Sequence, residues 1–210
     1  MYLSLFYLDR SAPSVRQCLR NAHDMHRTVM SGFADVPPAA ARCELGVLYR
    51  LQEVREGLRL YVLSEALPDW SGLKAGFHPA AGSPKDLSGL REAMSPGLAL
   101  SFNLLCIPAK KVKCGTKNSR RRLLTTPEER AAWLQRKAEQ NGFALRWFRE
   151  DGQERAYVRR AGESAVHTGV RFCGELCVED PQRFWQAFAS GIGAGKAYGM
   201  GMMMLGRAGI

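Results

Sequence analysis

The 210-residue chain has few residues suited to metal or disulfide chemistry. Its six cysteines form no Cys-x-x-Cys pair, and with four histidines there is no convincing zinc set. It lacks the run of about 20 apolar residues that a bilayer span needs. Met1-Tyr-Leu-Ser-Leu-Phe-Tyr-Leu-Asp9 has no basic stretch and no small-residue cleavage site, so no secretory signal is expected. Reduced thiols and a cytoplasmic setting are the corresponding expectation, with no membrane partner. Disorder is not expected either, because 46% hydrophobic content suffices for a core.

Acidic residues are absent from one long stretch, between Glu92 and Glu128. The formal net charge is +10 and the sequence pI about 9.6, which favours a polyanionic partner, nucleic acid before membrane. Lys110, Lys111, Lys113, Lys117, Arg120, Arg121 and Arg122 all lie in the acid-free gap. Gly115 and Asn118 are turn formers among them, so the segment reads as a basic hairpin or mobile loop. Like charges crowded without acids repel one another unless phosphates neutralise them. The segment is therefore read as a nucleic-acid contact.

A second biased stretch is Gly191-Ile-Gly-Ala-Gly-Lys-Ala-Tyr-Gly-Met-Gly201. Gly191, Gly193, Gly195, Gly199 and Gly201 permit a close approach of backbone to a partner. Two nucleotide motifs fail here. The dinucleotide pattern needs glycine where Lys196 stands, and the phosphate loop needs one more spacer residue and a Ser or Thr in place of Ala197. A nucleotide cofactor is excluded on that basis. The loop is expected to form a wall against RNA, with Lys196 available to a phosphate.

Hydrophobic patterning gives an order of elements. Tyr2–Leu8 reads as a strand, 14–34 as helical, and Leu45–Gln52 and Leu58–Glu65 as two strands about a short turn. Residues 75–97, rich in Gly, Pro and Ala, mark a boundary. Leu98–Ile107 reads as a strand before the basic segment. A helix follows with Thr126 as N-cap, Pro127 at its first position, and a stop at Asn141-Gly142. Strands are expected near 143–149, 155–160 and 168–178, then a helix over 181–190 and a last strand over Met200–Leu205. This order implies the α+β class, as two tandem ferredoxin-like βαββαβ domains, related to the RNA-recognition fold. The domains are expected over 1–92 and 96–210. The aromatic signature of standard RNA-recognition motifs is missing.

Among the histidines, His78 and His167 are read as structural or solvated. His23 and His26 sit at i and i+3 in Asn21-Ala-His-Asp-Met-His-Arg-Thr28, on one side of a helix. Asn21 suits an N-cap, with Asp24 three residues on as in a capping box. Arg16, Arg20 and Arg27 flank them. Two imidazoles beside arginines suit RNA cleavage. One takes the 2′-hydroxyl proton and the other protonates the leaving oxygen. The competing reading is a packed role. On an unbroken helix His26 joins the apolar stripe of Val15, Leu19, Ala22, Val29 and Phe33.

Several short stretches add a resemblance. They are Met1-Tyr-Leu-Ser4, Met25-His-Arg-Thr28, Leu48-Tyr-Arg-Leu51, Ser64 with Pro68-Asp-Trp70, and Pro108-Ala-Lys110. Ala132-Trp-Leu-Gln-Arg136, Phe172-x-Gly174 and the closing glycine run complete the set. In this order and at this length the sequence resembles the CRISPR RNA endoribonuclease of type I-E systems, the CasE family. The resemblance implies tandem ferredoxin-like domains and metal-independent cutting of the CRISPR repeat stem-loop by 2′-hydroxyl attack. It also implies a product that stays bound in the Cascade complex with other subunits. His26 becomes the central catalytic residue with His23 beside it, and Arg27 contacts the scissile region. The Lys110–Arg122 segment grips the stem-loop, and the glycine loop helps form the RNA surface. The chain departs from some relatives at His23, where they carry Tyr, and at Ser31, where they carry Lys. Leu-Leu-Cys-Ile before Pro108 also replaces an Arg-Ala-Asn sequence. The alternative is a non-cleaving RNA-binding subunit, and a third reading is a basic scaffold between protein subunits.

Overall fold

The computed structural model describes residues 1–33, 46–114, 118–160 and 162–209, and only the backbone of 113, 114, 118–120 and 160. Strand β1 (Tyr2–Leu8) turns at Asp9–Ala12 into helix α1 (Pro13–Arg20), and a single residue, Asn21, separates it from α2 (Ala22–Met30). Strands β2 (Leu48–Val54) and β3 (Gly57–Ser64) form a hairpin. The expected boundary at 75–97 instead supplies two short strands, β4 (Phe77–Pro79) and β5 (Lys85–Asp86), and a short helix α3 (Ser88–Glu92). Both strands pair with β1, so they complete the first sheet, whose main path runs β2-β3-β1-β4. A segment anchored by Trp70 stands where the second helix of a βαββαβ unit would pack. Its indole Nε1 donates to Ser4 Oγ at 2.8 Å, and its ring meets Phe6 edge-on.

The second half keeps both helices. Strand β6 (Ala99–Cys106) is followed by the paired β7 (Ala109–Cys114) and β8 (Asn118–Leu123), then α4 (Pro127–Gln140). Strands β9 (Phe143–Arg160) and β10 (Glu163–Val178), helix α5 (Pro181–Ser190) and β11 (Met203–Arg207) complete it. The sheet order is β11-β6-β10-β9, all antiparallel, the same relative order as in the first sheet. Thr126 Oγ1 caps α4 by accepting from Glu129 N at 3.2 Å. The two strands expected at 143–149 and 155–160 are one strand of 18 residues. Asp151-Gly152 does not end it, because cross-strand pairing to β10 continues on both sides, with a register shift opposite Val170–Phe172.

Alternation along β1 and β6 decides the layers. Phe6 and Leu8 face α1 and α2 with Val15, Met25 and Val29. Phe102, Leu104 and Cys106 face α4 and α5 with Trp133, Leu134 and Phe184. The two halves share packing, since Leu48 and Leu63 of the first sheet join the second cluster. Arg50, 1% exposed, reaches from β2 to β6, donating to Asn103 O at 2.9 Å and Asn103 Oδ1 at 2.5 Å. Burial pushes its pKa down to about 10, and the nearby Arg171 adds to this, yet the guanidinium stays charged at neutral pH. Among the described residues no helix is long and apolar enough to cross a membrane.

Candidate active site and nucleic-acid groove

Asn21 sets the position of the histidine helix. Its backbone is extended (φ −145°, ψ 107°), so α1 and α2 are separate helices. Its Oδ1 accepts from His23 N at 3.2 Å, the N-cap expected from the sequence. The reciprocal half of a capping box does not form. Asp24 Oδ2 accepts from Asn21 Nδ2 at 3.1 Å, while the Asn21 backbone N–H is already used by Gln17 O. The break rephases α2. Its buried residues are Met25, Thr28 and Val29, while His23 and His26 are half-buried and Arg27 is exposed.

Two bonds tie this helix to the second half of the chain. Asn21 Oδ1 accepts from Arg159 N at 3.1 Å, and Asn21 Nδ2 donates to Arg159 O at 3.2 Å, so one side chain pairs with a peptide of β9. The buried Tyr49 hydroxyl lies 2.9 Å from Ala197 O and 3.3 Å from Ala22 O, bridging the glycine loop and the first residue of α2. Burial raises its pKa well above the ordinary phenol value, so it remains a donor. The short 3-10 turn Lys196–Tyr198 and the distal part of β9 both contact α2. His167 stacks on Tyr198 with centroids 4.4 Å apart and planes at 11°. That contact ties β10 to the glycine loop, a link the sequence gave no signal for.

The glycines of that loop serve the protein's own packing. All five, Gly191, Gly193, Gly195, Gly199 and Gly201, have positive φ. A Cβ on Gly199 would sit 3.0 Å from the Tyr49 ring, and one on Gly191 would sit 2.9 Å from Leu48. Gly201 N donates to Leu105 O at 2.6 Å, which staples the loop to β6. Lys196 points its ammonium at Ser190 O, at 2.5 Å, on the last turn of α5. The lysine expected for a phosphate therefore also caps a helix end.

Strands β7 and β8 place cations opposite one another. Lys110 faces Arg122 and Lys111 faces Arg121 across the ladder, and like charges so placed repel. The first pair is relieved by Glu129 at the start of α4, which ion-pairs with Arg122 and lies 3.9 Å from Lys110. Hydrogen bonding to Arg122 lowers its carboxyl pKa. The sequence run has no acid, but the fold returns one from just beyond it. Among the described residues Lys111 and Arg121 have no ion pair. They line a groove of about 480 Å³ with Lys110, Arg136, Lys137 and Lys196, floored by Gly191 and Gly193. Arg136 and Lys137 were not singled out as RNA contacts from the sequence. Their signal is that they follow Trp133, 2% exposed, by three and four residues, which puts them at the groove side of α4. Lys117 lies outside the described residues, as do the ends of two expected elements at Ala34 and Leu45. Lys113 and Arg120 are placed by their backbone alone, Val112 pairing with Arg120 and Lys113 with Ser119.

The structure thus combines two half-buried histidines on α2, a basic groove, and a glycine loop that touches α2 and lines the groove. Residues 1–207 match a family model described as a CRISPR associated protein. The chain belongs to this CRISPR-associated family. A relative is the CRISPR-associated endoribonuclease Cse3 of Thermus thermophilus, 31% identical over 223 residues, spanning 97% of this chain and 98% of that protein. A structure of CRISPR endoribonuclease Cse3 bound to a 19-nucleotide RNA matches with a TM-score of 0.81, 29% identity and 99% and 100% coverage of the two chains. Thermus thermophilus Cse3 bound to an RNA representing a pre-cleavage complex matches with a TM-score of 0.80, 30% identity and 98% coverage of each chain. These likenesses place both sheets in the tandem ferredoxin-like fold expected from the element order.

Proposed function

We propose that the protein is a metal-independent endoribonuclease that binds the CRISPR repeat stem-loop and cuts the precursor RNA beside it. The observation that carries this reading is the placement of the His23–His26 helix against the glycine loop and β9, while the same loop lines the basic β7–β8 groove. The near-full-length likeness to an endoribonuclease solved with RNA supports it.

The chemistry follows from two imidazoles, each able to take up or give a proton. One imidazole removes the proton of the 2′-hydroxyl, whose oxygen attacks the adjacent phosphorus. The P–O5′ bond breaks, and the other imidazole protonates the departing 5′-oxygen. The products are a 2′,3′-cyclic phosphate and a 5′-hydroxyl. Arg27, the next residue along α2, supplies positive charge where the phosphorane oxygens gain negative charge. The stem-loop is held by Lys110, Lys111 and Arg121 with Arg136 and Lys137. The other basic residues of the 110–122 run, Lys113, Lys117, Arg120 and Arg122, are assigned to contact with the same RNA. His23 stands in for an orienting or proton-carrying partner of His26. Residues 1–92 carry the proton chemistry and 96–210 the RNA grip, and the bound product stays as part of a Cascade-type particle in the cytoplasm.

The test is cleavage of RNA copies of the CRISPR repeat in the presence of EDTA. Persistent cutting that leaves a cyclic phosphate or 3′-phosphate and a 5′-hydroxyl agrees with this reading. Tight binding with no cutting would leave the non-cleaving RNA-binding subunit.

A further inference from the structure

A second polar cleft opens along α2, next to the histidine face and separate from the basic groove. Asp24, Arg27, Thr28 and Ser31 fall at i, i+3, i+4 and i+7, so they share one side of the helix. They line a cleft of about 230 Å³ together with Gln17 of α1 and Lys74 from the segment between β3 and β4. None of its lining residues lines the β7–β8 groove.

Its charge is positive on balance, two cations to one carboxylate. Arg27 and Lys74 are both exposed, and among the described residues neither forms an ion pair. The one carboxylate in the lining, Asp24, is held by neighbouring amides: its Oδ2 accepts from Gln17 Nε2 at 3.2 Å and from Asn21 Nδ2 at 3.1 Å. The Cys18 thiol on the cleft wall contacts Thr28 Oγ1 at 3.4 Å. Burial raises the Cys18 pKa, so the wall gains no thiolate at neutral pH. At the rim, a Cβ built on Gly72 meets nothing within 4 Å, which leaves the approach open. Two cations without an ion pair, set against one amide-bound carboxylate and over hydroxyls beside an open rim, are the chemistry of a phosphodiester seat rather than of an apolar ligand.

We propose that this cleft is a subsite for a backbone phosphate of the single-stranded RNA flanking the scissile bond, with Arg27 and Lys74 straddling it. The proposal rests on the endoribonuclease reading. Arg27 directly follows His26 and lines the cleft with Lys74, so a strand whose scissile phosphate is at His26 can run past Arg27 to Lys74. A positively charged track of this kind follows the backbone without reading bases. Specificity at this seat is therefore for an unpaired flank, not for its sequence.

Lys74 is exposed, so Lys74→Ala leaves the fold intact, and Lys85→Ala, an exposed cation outside the cleft, controls for charge alone. Binding is measured as a function of salt for repeat RNA with both single-stranded flanks and for RNAs trimmed on either side. Lys74→Ala weakens binding of the flanked RNA about fivefold near 0.1 M salt and lowers the salt slope by about 0.7. Trimming one flank costs a similar amount, and on that trimmed RNA Lys74→Ala adds nothing. A Lys74→Ala protein that matches Lys85→Ala, or losses that simply add, overturns the subsite. Wild-type protein that binds but never cuts the RNA overturns the endoribonuclease reading instead, so the two failures are distinguishable.

Discussion

At the scale of single residues, Asn21 does more than cap a helix. Its extended backbone ends α1, its side chain starts α2, and the same amide pairs with the Arg159 peptide. The break turns Met25, Thr28 and Val29 to the core and leaves His26 half-buried. The cap was legible, because Asn with a polar residue three positions on is a helix-start pattern. The pairing with Arg159 was not, since nothing local signals a contact across 138 residues. His26→Ala should cut the single-turnover cleavage rate by about 10²–10⁴-fold while leaving RNA affinity nearly unchanged; retained cutting would remove His26 from the mechanism. Tyr49→Phe removes the bridge between Ala22 O and Ala197 O at a cost of about 1 kcal/mol in stability. It should slow cleavage more than it weakens binding, and an unaltered rate would show that the bridge does not position α2.

At the scale of elements, the basic hairpin and the glycine loop were both visible in composition and differ in what their residues do. The hairpin was read as a block of charge without acids. Folding splits it: Glu129 ion-pairs with Arg122 and lies 3.9 Å from Lys110, while Lys111 and Arg121 face the groove with no ion pair among the described residues, alongside Lys110. That division depends on strand register and on α4 returning to the hairpin, and neither is a local property. Arg130, 7% exposed, ties α4 to β9 by donating to both Glu150 oxygens at 2.7 Å, and donates to Thr125 O at 2.7 Å. The glycine loop was read as a surface for RNA, yet its glycines first satisfy close contacts with Tyr49 and Leu48. A charge reversal of Lys111 and Arg121 to Glu should weaken RNA binding and reduce the salt slope by about 2 or more, as measured by titration at several salt concentrations. Reversal at Arg122 should act less on RNA, because Glu129 already neutralises it. An equal effect at both positions would contradict the assignment of the groove face.

At the scale of the whole molecule, two similar sheets are joined so that proton chemistry from one meets the RNA grip of the other. The repeated βαββ order could be read from periodicity and turns. The replacement of a helix in the first unit by the Trp70 segment could not, because it is decided by packing on Ser4 and Phe6. The junction depends on Arg50, a charged residue buried between the halves. Arg50→Ala leaves Asn103 O and Oδ1 without that donor and should lower stability by about 1–3 kcal/mol, seen as a reduced denaturant midpoint. A midpoint within error of wild type would mean the halves are held by apolar packing alone. The central claim is cleavage by the RNA's own 2′-hydroxyl, driven by the α2 histidines without a metal. It is tested most directly with repeat RNA carrying a single 2′-deoxy nucleotide at the scissile position, incubated with wild-type protein in EDTA. The account predicts that this RNA binds like the unmodified one and remains uncut while the unmodified RNA is cleaved. Cleavage of the deoxy-substituted RNA at the same bond would contradict it.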